Sequence, residues 1–124
     1  CFIFSSCEED DTSVVNVETF LVEVDNFVIS DVTETTLPIA IDFYGIIGTD
    51  GCHRFSHFET SFEGNDIFIK CFGMRRIDQN IVCTDNIVEL GGERLLLNIN
   101  QAGQYFIKVL QPDASVYEQE LVVN

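Results

Sequence analysis

Residues 58–71 decide the fold, and they run Phe58-Glu59-Thr60-Ser61-Phe62-Glu63-Gly64-Asn65-Asp66-Ile67-Phe68-Ile69-Lys70-Cys71. Apolar and polar side chains alternate on both sides of Gly64-Asn65, which is typical of two half-buried strands joined by a two-residue hairpin loop. With Glu63 opposite Asp66, one face of the hairpin is apolar, and its facing pairs are Phe62 with Ile67, Thr60 with Ile69 and Phe58 with Cys71. The other face pairs Glu59 with Lys70, which are of opposite charge. This register is favoured because a slip of one residue would mix the two faces.

The same alternation extends over most of the chain, in short runs separated by turn residues about every ten positions. The predicted strands are 15–24, 26–32, 37–46, 54–63, 66–73, 80–89, 94–99, 104–111 and 115–123. Only residues 92–100 could form a helical turn, and nothing longer has a helical period. The sequence therefore predicts an all-β protein, built as an antiparallel β-sandwich.

A second hairpin is predicted at the C-terminus, around the turn at 111–115. Its expected pairs are Val109 with Tyr117, Tyr105 with Leu121 and Lys108 with Glu118. The spacing Gly103-x-Tyr105-x-Ile107-x-Val109 resembles the penultimate strand of bacterial immunoglobulin-like domains. The resemblance implies an immunoglobulin-like sandwich, and it implies architecture only, because unrelated extracellular modules share the pattern.

The N-terminus has a different character from the rest, since Cys1-Phe2-Ile3-Phe4-Ser5-Ser6-Cys7 is followed by Glu8-Glu9-Asp10-Asp11. Apolar residues, then small residues, then a cysteine resemble the end of a bacterial lipoprotein signal. The acidic run resembles the export tether of lipoproteins from the Bacteroidetes phylum. This resemblance implies a signal-peptide remnant at 1–6, a lipidated Cys7 with an acidic tether at 7–13, and the sandwich at 14–124. Two alternatives are lipidation of Cys1 and an ordinary strand that ends in an acidic turn.

That resemblance implies an outer-membrane lipoprotein of the cell envelope, on the periplasmic or the exposed side, which contacts the membrane only through its anchor. The chain has 21 acidic against 6 basic side chains in 124 residues, and its net charge of −15 disfavours docking onto anionic lipid through the protein's own surface. Such a charge disfavours nucleic acid as a partner. The 46% of hydrophobic residues excludes general disorder.

Three cysteines lie beyond the N-terminal segment: Cys52, Cys71 and Cys83. Export permits a disulfide, and three pairings are possible. The hairpin register directs Cys71 into the core, so a Cys52–Cys83 disulfide is the favoured pairing.

No catalytic or metal-binding motif is present, and we expect a protein that is not an enzyme and holds no metal or cofactor. His53 and His57 have a spacing that could bind zinc on a helix, but on a strand they stand about 13 Å apart. Acidic loop residues could hold calcium, although no D-x-D-x-D-G loop occurs.

A candidate ligand patch remains on the outward face of the predicted strands. By parity it contains Phe55, Phe68 and Phe72, with His57 opposite Phe72, and the basic pair Arg75 and Arg76 follows it. These rings form either an exposed binding patch or a face that another part of the fold covers. We expect a non-catalytic module that presents its sandwich to an envelope protein or a glycan. A carbohydrate-binding accessory lipoprotein is the second hypothesis, and a small hydrolase is the third.

Overall fold

The computed structural model describes residues 16–31, 33–78 and 81–124, and this part of the chain contains eight β-strands and no helix. It therefore has no helix of the length and apolarity that crossing a membrane requires. The predicted lipidation site Cys7, the signal remnant at 1–6 and the tether at 7–13 lie outside the described residues. The strands are β1 (Val17–Leu21), β2 (Asn26–Ile29), β3 (Ile39–Gly48), β4 (His53–Glu63), β5 (Asp66–Arg76), β6 (Val88–Leu97), β7 (Gly103–Leu110) and β8 (Val116–Val123).

The strands form two sheets that pack face to face, which confirms the predicted β-sandwich. One sheet has three strands in the order β2-β3-β6. The other sheet has five strands, with β5 at its centre. On one side β5 pairs with β4 over nearly its whole length, and on the other side it pairs with two different strands. On that other side, β1 pairs with residues 72–76 of β5 and β7 pairs with residues 66–69. The strand β8 pairs with the free side of β7.

The core lies between the two sheets and is built from alternate residues of each strand. The fully buried residues of β3 are Ile39, Ile41 and Phe43, and they face Ile67, Ile69, Cys71, Ile107 and Val109 of the five-stranded sheet. Burial of such side chains is the main stabilising term, worth about 1.5–3 kcal/mol for each large one. The period of two in the sequence therefore corresponds directly to the buried face of each strand.

Both predicted hairpins have the predicted register. Glu63 pairs with Asp66, Phe58 with Cys71 and Glu59 with Lys70 in the β4–β5 hairpin. In the β7–β8 hairpin the pairs are Val109 with Tyr117, Tyr105 with Leu121 and Lys108 with Glu118. Tyr105 also donates its hydroxyl to the carbonyl of Gln101 at 2.7 Å, a contact like the tyrosine corner of immunoglobulin-type sandwiches.

One residue of the first hairpin is less buried than its register predicts. Ile67 and Ile69 are fully buried and Phe58 packs against the core, but the side chain of Phe62 is 50% exposed. Phe62 lies on β4, at the edge of the wider sheet, and the narrower three-stranded sheet does not cover it.

The division into two strands at 80–89 and 94–99 is wrong, because the structure has a single strand, β6, at Val88–Leu97, which overlaps both. Residues 81–87 are a connection without strand structure, and Cys83 lies there. Gly92 forms a bulge opposite Phe43 and Tyr44, at a φ of 87°. Glycine adopts this left-handed backbone without strain, so the strand continues through it.

The strand pairing departs from the antiparallel expectation at one place. Five of the six pairings are antiparallel, but β5 and β7 are parallel. This parallel pair brings the two predicted hairpins together in one sheet. It also brings side chains of β7 beside the outward residues of β5.

Candidate functional site

The outer face of the five-stranded sheet carries most of the predicted patch. Along β5, Ile67, Ile69 and Cys71 point into the core, so Phe68 and Phe72 point away from it. Both rings are half-buried, and the face they share is the one turned away from the three-stranded sheet. Their neighbours on the adjacent strands therefore decide what this face can bind.

His57 and Phe72 form one part of this face. They are cross-strand partners, and their rings stack at a centroid distance of 4.9 Å with an interplanar angle of 18°. The His57 ring also lies 2.8 Å from the hydroxyl of Ser56 and 3.4 Å from the carboxylate of Glu59. The predicted pairing of His57 with Phe72 is thus present as a stacked pair beside a carboxylate.

Phe68 lies in a depression of about 230 Å³, which we name the Phe68 depression. Its lining residues are Glu59, Thr60, Ser61, Phe68, Lys70 and Leu110. The Lys108 ammonium stands 5.7 Å from the Phe68 ring centroid and 3.4 Å from a carboxylate oxygen of Asp66. An aromatic ring, the hydroxyl group of Ser61 and groups of both charges thus meet in one open hollow, where a ligand could stack and form hydrogen bonds.

The predicted outward position of Phe55 is wrong. A β-bulge between Phe55 and His57 inserts Ser56 as an extra residue, so Phe55 pairs with Gly73 while His57 pairs with Phe72. The bulge reverses the parity of the strand, and Phe55 packs against the core with its ring 4.9 Å from that of Phe58. Simple alternation could not reveal this extra residue.

Arg75 and Arg76 lie at the far end of β5, roughly 23–26 Å along the strand from Phe68. Each forms an ion pair within the chain, Arg75 with Glu18 at 2.8 Å and Arg76 with Asp78 at 3.1 Å. Their charges are therefore largely compensated, and the two arginines do not join the Phe68 depression.

The predicted Cys52–Cys83 disulfide is confirmed, with the two Cα atoms 5.3 Å apart, and Cys71 is a free, buried thiol. Asp50 lies beside the disulfide and accepts hydrogen bonds from the Cys52 N–H at 3.0 Å and from the His53 ring at 2.8 Å. These contacts, that of the Cys52 N–H foremost, lower the pKa of Asp50. Although Asp50 and the two sulfur atoms are close enough to hold a metal, the sulfurs are bonded to each other and are not free thiolates.

Sequence reasoning missed Lys108 and Leu110 as parts of the site. Their strand β7 is distant from β5 in sequence, and only the parallel β5–β7 pairing brings Lys108 opposite Phe68. The alternation of 104–111 does place Lys108 outward, but no local signal tells which strand lies next to it.

A comparison of the chain with protein-family models, with curated proteins and with solved structures finds no match.

Proposed function

We propose that this chain is a non-catalytic binding module of the cell envelope, held by a lipid on Cys7, which presents the outer face of its five-stranded sheet to a partner. The observation that carries the proposal is the Phe68 depression. It places a half-buried aromatic ring among hydroxyl, carboxylate and ammonium groups on the face of the sheet that points away from the core. Side chains of this mixture recognise ligands by stacking and by hydrogen bonds.

The lipid anchor and the acidic tether are supported by the order of residues 1–13 alone. Four adjacent carboxylates at 8–11 repel one another and favour an extended, solvated spacer. Such a spacer would hold the sandwich clear of the membrane, so that the outer face of the sheet remains accessible.

A glycan is the second candidate, and the Phe68 depression gives a specific reason for it. Sugars present flat apolar faces to aromatic rings and hydroxyl groups to a polar rim. Phe68 provides the ring, while Ser61, Glu59 and Lys70 provide donors and acceptors around it. A protein partner would bury the same ring at the centre of its interface. The two kinds of ligand therefore share one site, and they are distinguished by whether a glycan or a protein is retained.

The test compares the full chain with two variants on a glycan array and in pull-downs from detergent-extracted native outer membrane. Phe68→Ala should weaken binding about tenfold or more, because it removes the stacking surface. Tyr44→Ala is the matched control, since Tyr44 is 40% exposed on the outer face of the other sheet. Mass spectrometry of the native extract should show the lipid on Cys7.

Retention of a glycan that depends on Phe68 would establish the carbohydrate hypothesis, whereas retention of a Phe68-dependent protein would establish the protein-binding one. Binding that Phe68→Ala leaves unchanged would overturn the Phe68 depression as the site. An unmodified Cys7 in the native host would overturn the anchor.

A further inference from the structure

Within the described part of the chain, β4 is an open edge of the five-stranded sheet. All its strand pairings among the described residues are with β5. The opposite edge, β8, is covered at its end, since Asn124 and residues 33–35 exchange backbone hydrogen bonds. The bulge at Ser56 protects only the first part of β4. Residues 57–63 contain no proline and no lysine, and their carboxylates are those of Glu59 and Glu63, so the protection of this edge depends on those two charges.

The backbone groups that β4 offers to a new strand follow from the hairpin. A two-residue loop makes Glu63 and Asp66 the closing hydrogen-bonded pair, and the ladder then alternates along the strand. The N–H and C=O groups of Phe58, Thr60 and Phe62 therefore point away from β5, toward the open edge. Residues 59–63 are all exposed, so this row is accessible.

We propose that a second copy of this chain occupies this edge, with the two β4 strands antiparallel and the twofold axis at Thr60. Each Thr60 then faces the partner's Thr60, and the two five-stranded sheets become one ten-stranded sheet. The remaining pairs are Phe58 with the partner's Phe62, His57 with the partner's Glu63, and Glu59 with the partner's Ser61.

Complementarity selects this register over its neighbours. A twofold axis at Glu59 would set two Glu59 carboxylates face to face, and an axis at Ser61 would set Glu59 against the partner's Glu63. Like charges in such positions are destabilising. The axis at Thr60 instead pairs an imidazole with a carboxylate and covers Phe62, which is 50% exposed in the single chain.

The dimer would also change the rim of the Phe68 depression, because Glu59 and Ser61 line it. Glu59 of the partner would stand beside Ser61, so each depression would gain a carboxylate from the other copy. The dimer itself does not depend on which ligand the depression binds.

The experiment is sedimentation velocity of the full chain over a concentration series, with and without added salt. We expect a monomer–dimer equilibrium that shifts toward the dimer as salt rises, because each copy carries a net charge of −15 and screening reduces their repulsion. Thr60→Pro should weaken dimerisation at least about tenfold, since it removes one hydrogen bond from each side of the axis. It should leave the single chain folded, because proline is tolerated where the N–H points off the edge.

Two further pairs of variants, each with its own control, test the dimer independently. Phe62→Lys should weaken the dimer by placing a lysine on the edge, whereas Val28→Lys, at an equally exposed residue of β2, should leave it unchanged. Thr60→Cys should form an intermolecular disulfide more readily than Ser61→Cys, above the background that Cys1 and Cys7 give in both. A chain that stays monomeric throughout, or a dimer that ignores Thr60→Pro and Phe62→Lys, would overturn the proposal.

Discussion

At the scale of one residue, the position of Cys71 on the inward face of β5 determines the reactivity of its thiol. Its cross-strand partner is Phe58, and its own side chain is completely buried in the core. Burial disfavours the thiolate, and this raises the pKa of Cys71 from 9.0 to about 12. A cysteine in such a place behaves as a small hydrophobic residue rather than as a nucleophile.

We predict that Cys71 of the folded chain resists alkylation by iodoacetamide at about pH 8 and reacts once the chain is unfolded. Above the ordinary pKa of the thiol, Cys71 ionises in the unfolded chain but stays neutral in the folded chain. The free energy of unfolding therefore decreases as the pH rises. This contribution to stability is complete below pH 9.0 and is lost as the pH rises toward about 12. Peptide mapping after labelling measures the modification at Cys71 separately from Cys1 and Cys7, and rapid labelling of the native residue would contradict its burial.

The strands and their hairpins were the most predictable elements, because the register of a hairpin follows from a short loop and local alternation. The Gly64-Asn65 loop fixed every partner of β5 from Glu63 to His57 in advance. Bulges were not predictable, since an extra residue such as Ser56 reverses the parity without any change in composition. The same limitation hid the continuity of β6 through Gly91-Gly92.

The Cys52–Cys83 disulfide joins the residue just before β4 to the connection before β6, and its two cysteines are 31 positions apart in the chain. Constraining a loop of this length in the unfolded chain stabilises the folded state by about 3–4 kcal/mol in the chain-entropy model. We predict that the Cys52→Ser/Cys83→Ser double variant loses stability of this order, measured by urea unfolding followed by circular dichroism. Cys71→Ala serves as a comparison that leaves the disulfide intact. An unchanged unfolding midpoint in the double variant would show that the crosslink does not constrain the unfolded chain.

At the scale of the whole molecule, the sheets were predictable as a class, but their arrangement was not. Strand alternation predicts two apolar faces that must bury one another, and hence a sandwich. It does not tell which strands become neighbours, because the β5–β7 pairing joins residues about forty positions apart in the chain. The candidate site depends on this pairing, so Phe68 was predictable and its neighbour Lys108 was not.

The distribution of charge is also a property of the whole molecule. Five of its six basic side chains, namely Arg54, Lys70, Arg75, Arg76 and Lys108, lie on the five-stranded sheet. Arg94, on the other sheet, forms two hydrogen bonds with Asp42, at 2.8 and 3.1 Å. The many remaining carboxylates have few cations to pair with, so the backbone and hydroxyl groups that hold particular aspartates become important for stability.

Three aspartates in different parts of the fold have a lowered pKa, and together they predict how acid destabilises the protein. The pKa of Asp42 is lowered by its hydrogen bonds with Arg94, that of Asp50 by the Cys52 N–H, and that of Asp113 by Ser115. A carboxylate whose pKa is lower in the folded chain stabilises it above the ordinary value of 3.8. This stabilisation is lost as the pH falls below that value, because the unfolded chain then binds more protons than the folded chain and is favoured by acid.

We therefore predict that the urea midpoint falls between about pH 6 and about pH 2. Asp50→Asn should reduce this fall, because the amide oxygen can still accept the Cys52 N–H but does not titrate. Asp42→Asn should reduce it as well, and the two effects should add, since the sites lie on separate elements and share no partner. Unfolding curves of the parent chain, both single variants and the double variant at the two pH values measure the differences. A pH dependence that is identical in all four would show that these carboxylates are not the groups through which acid acts.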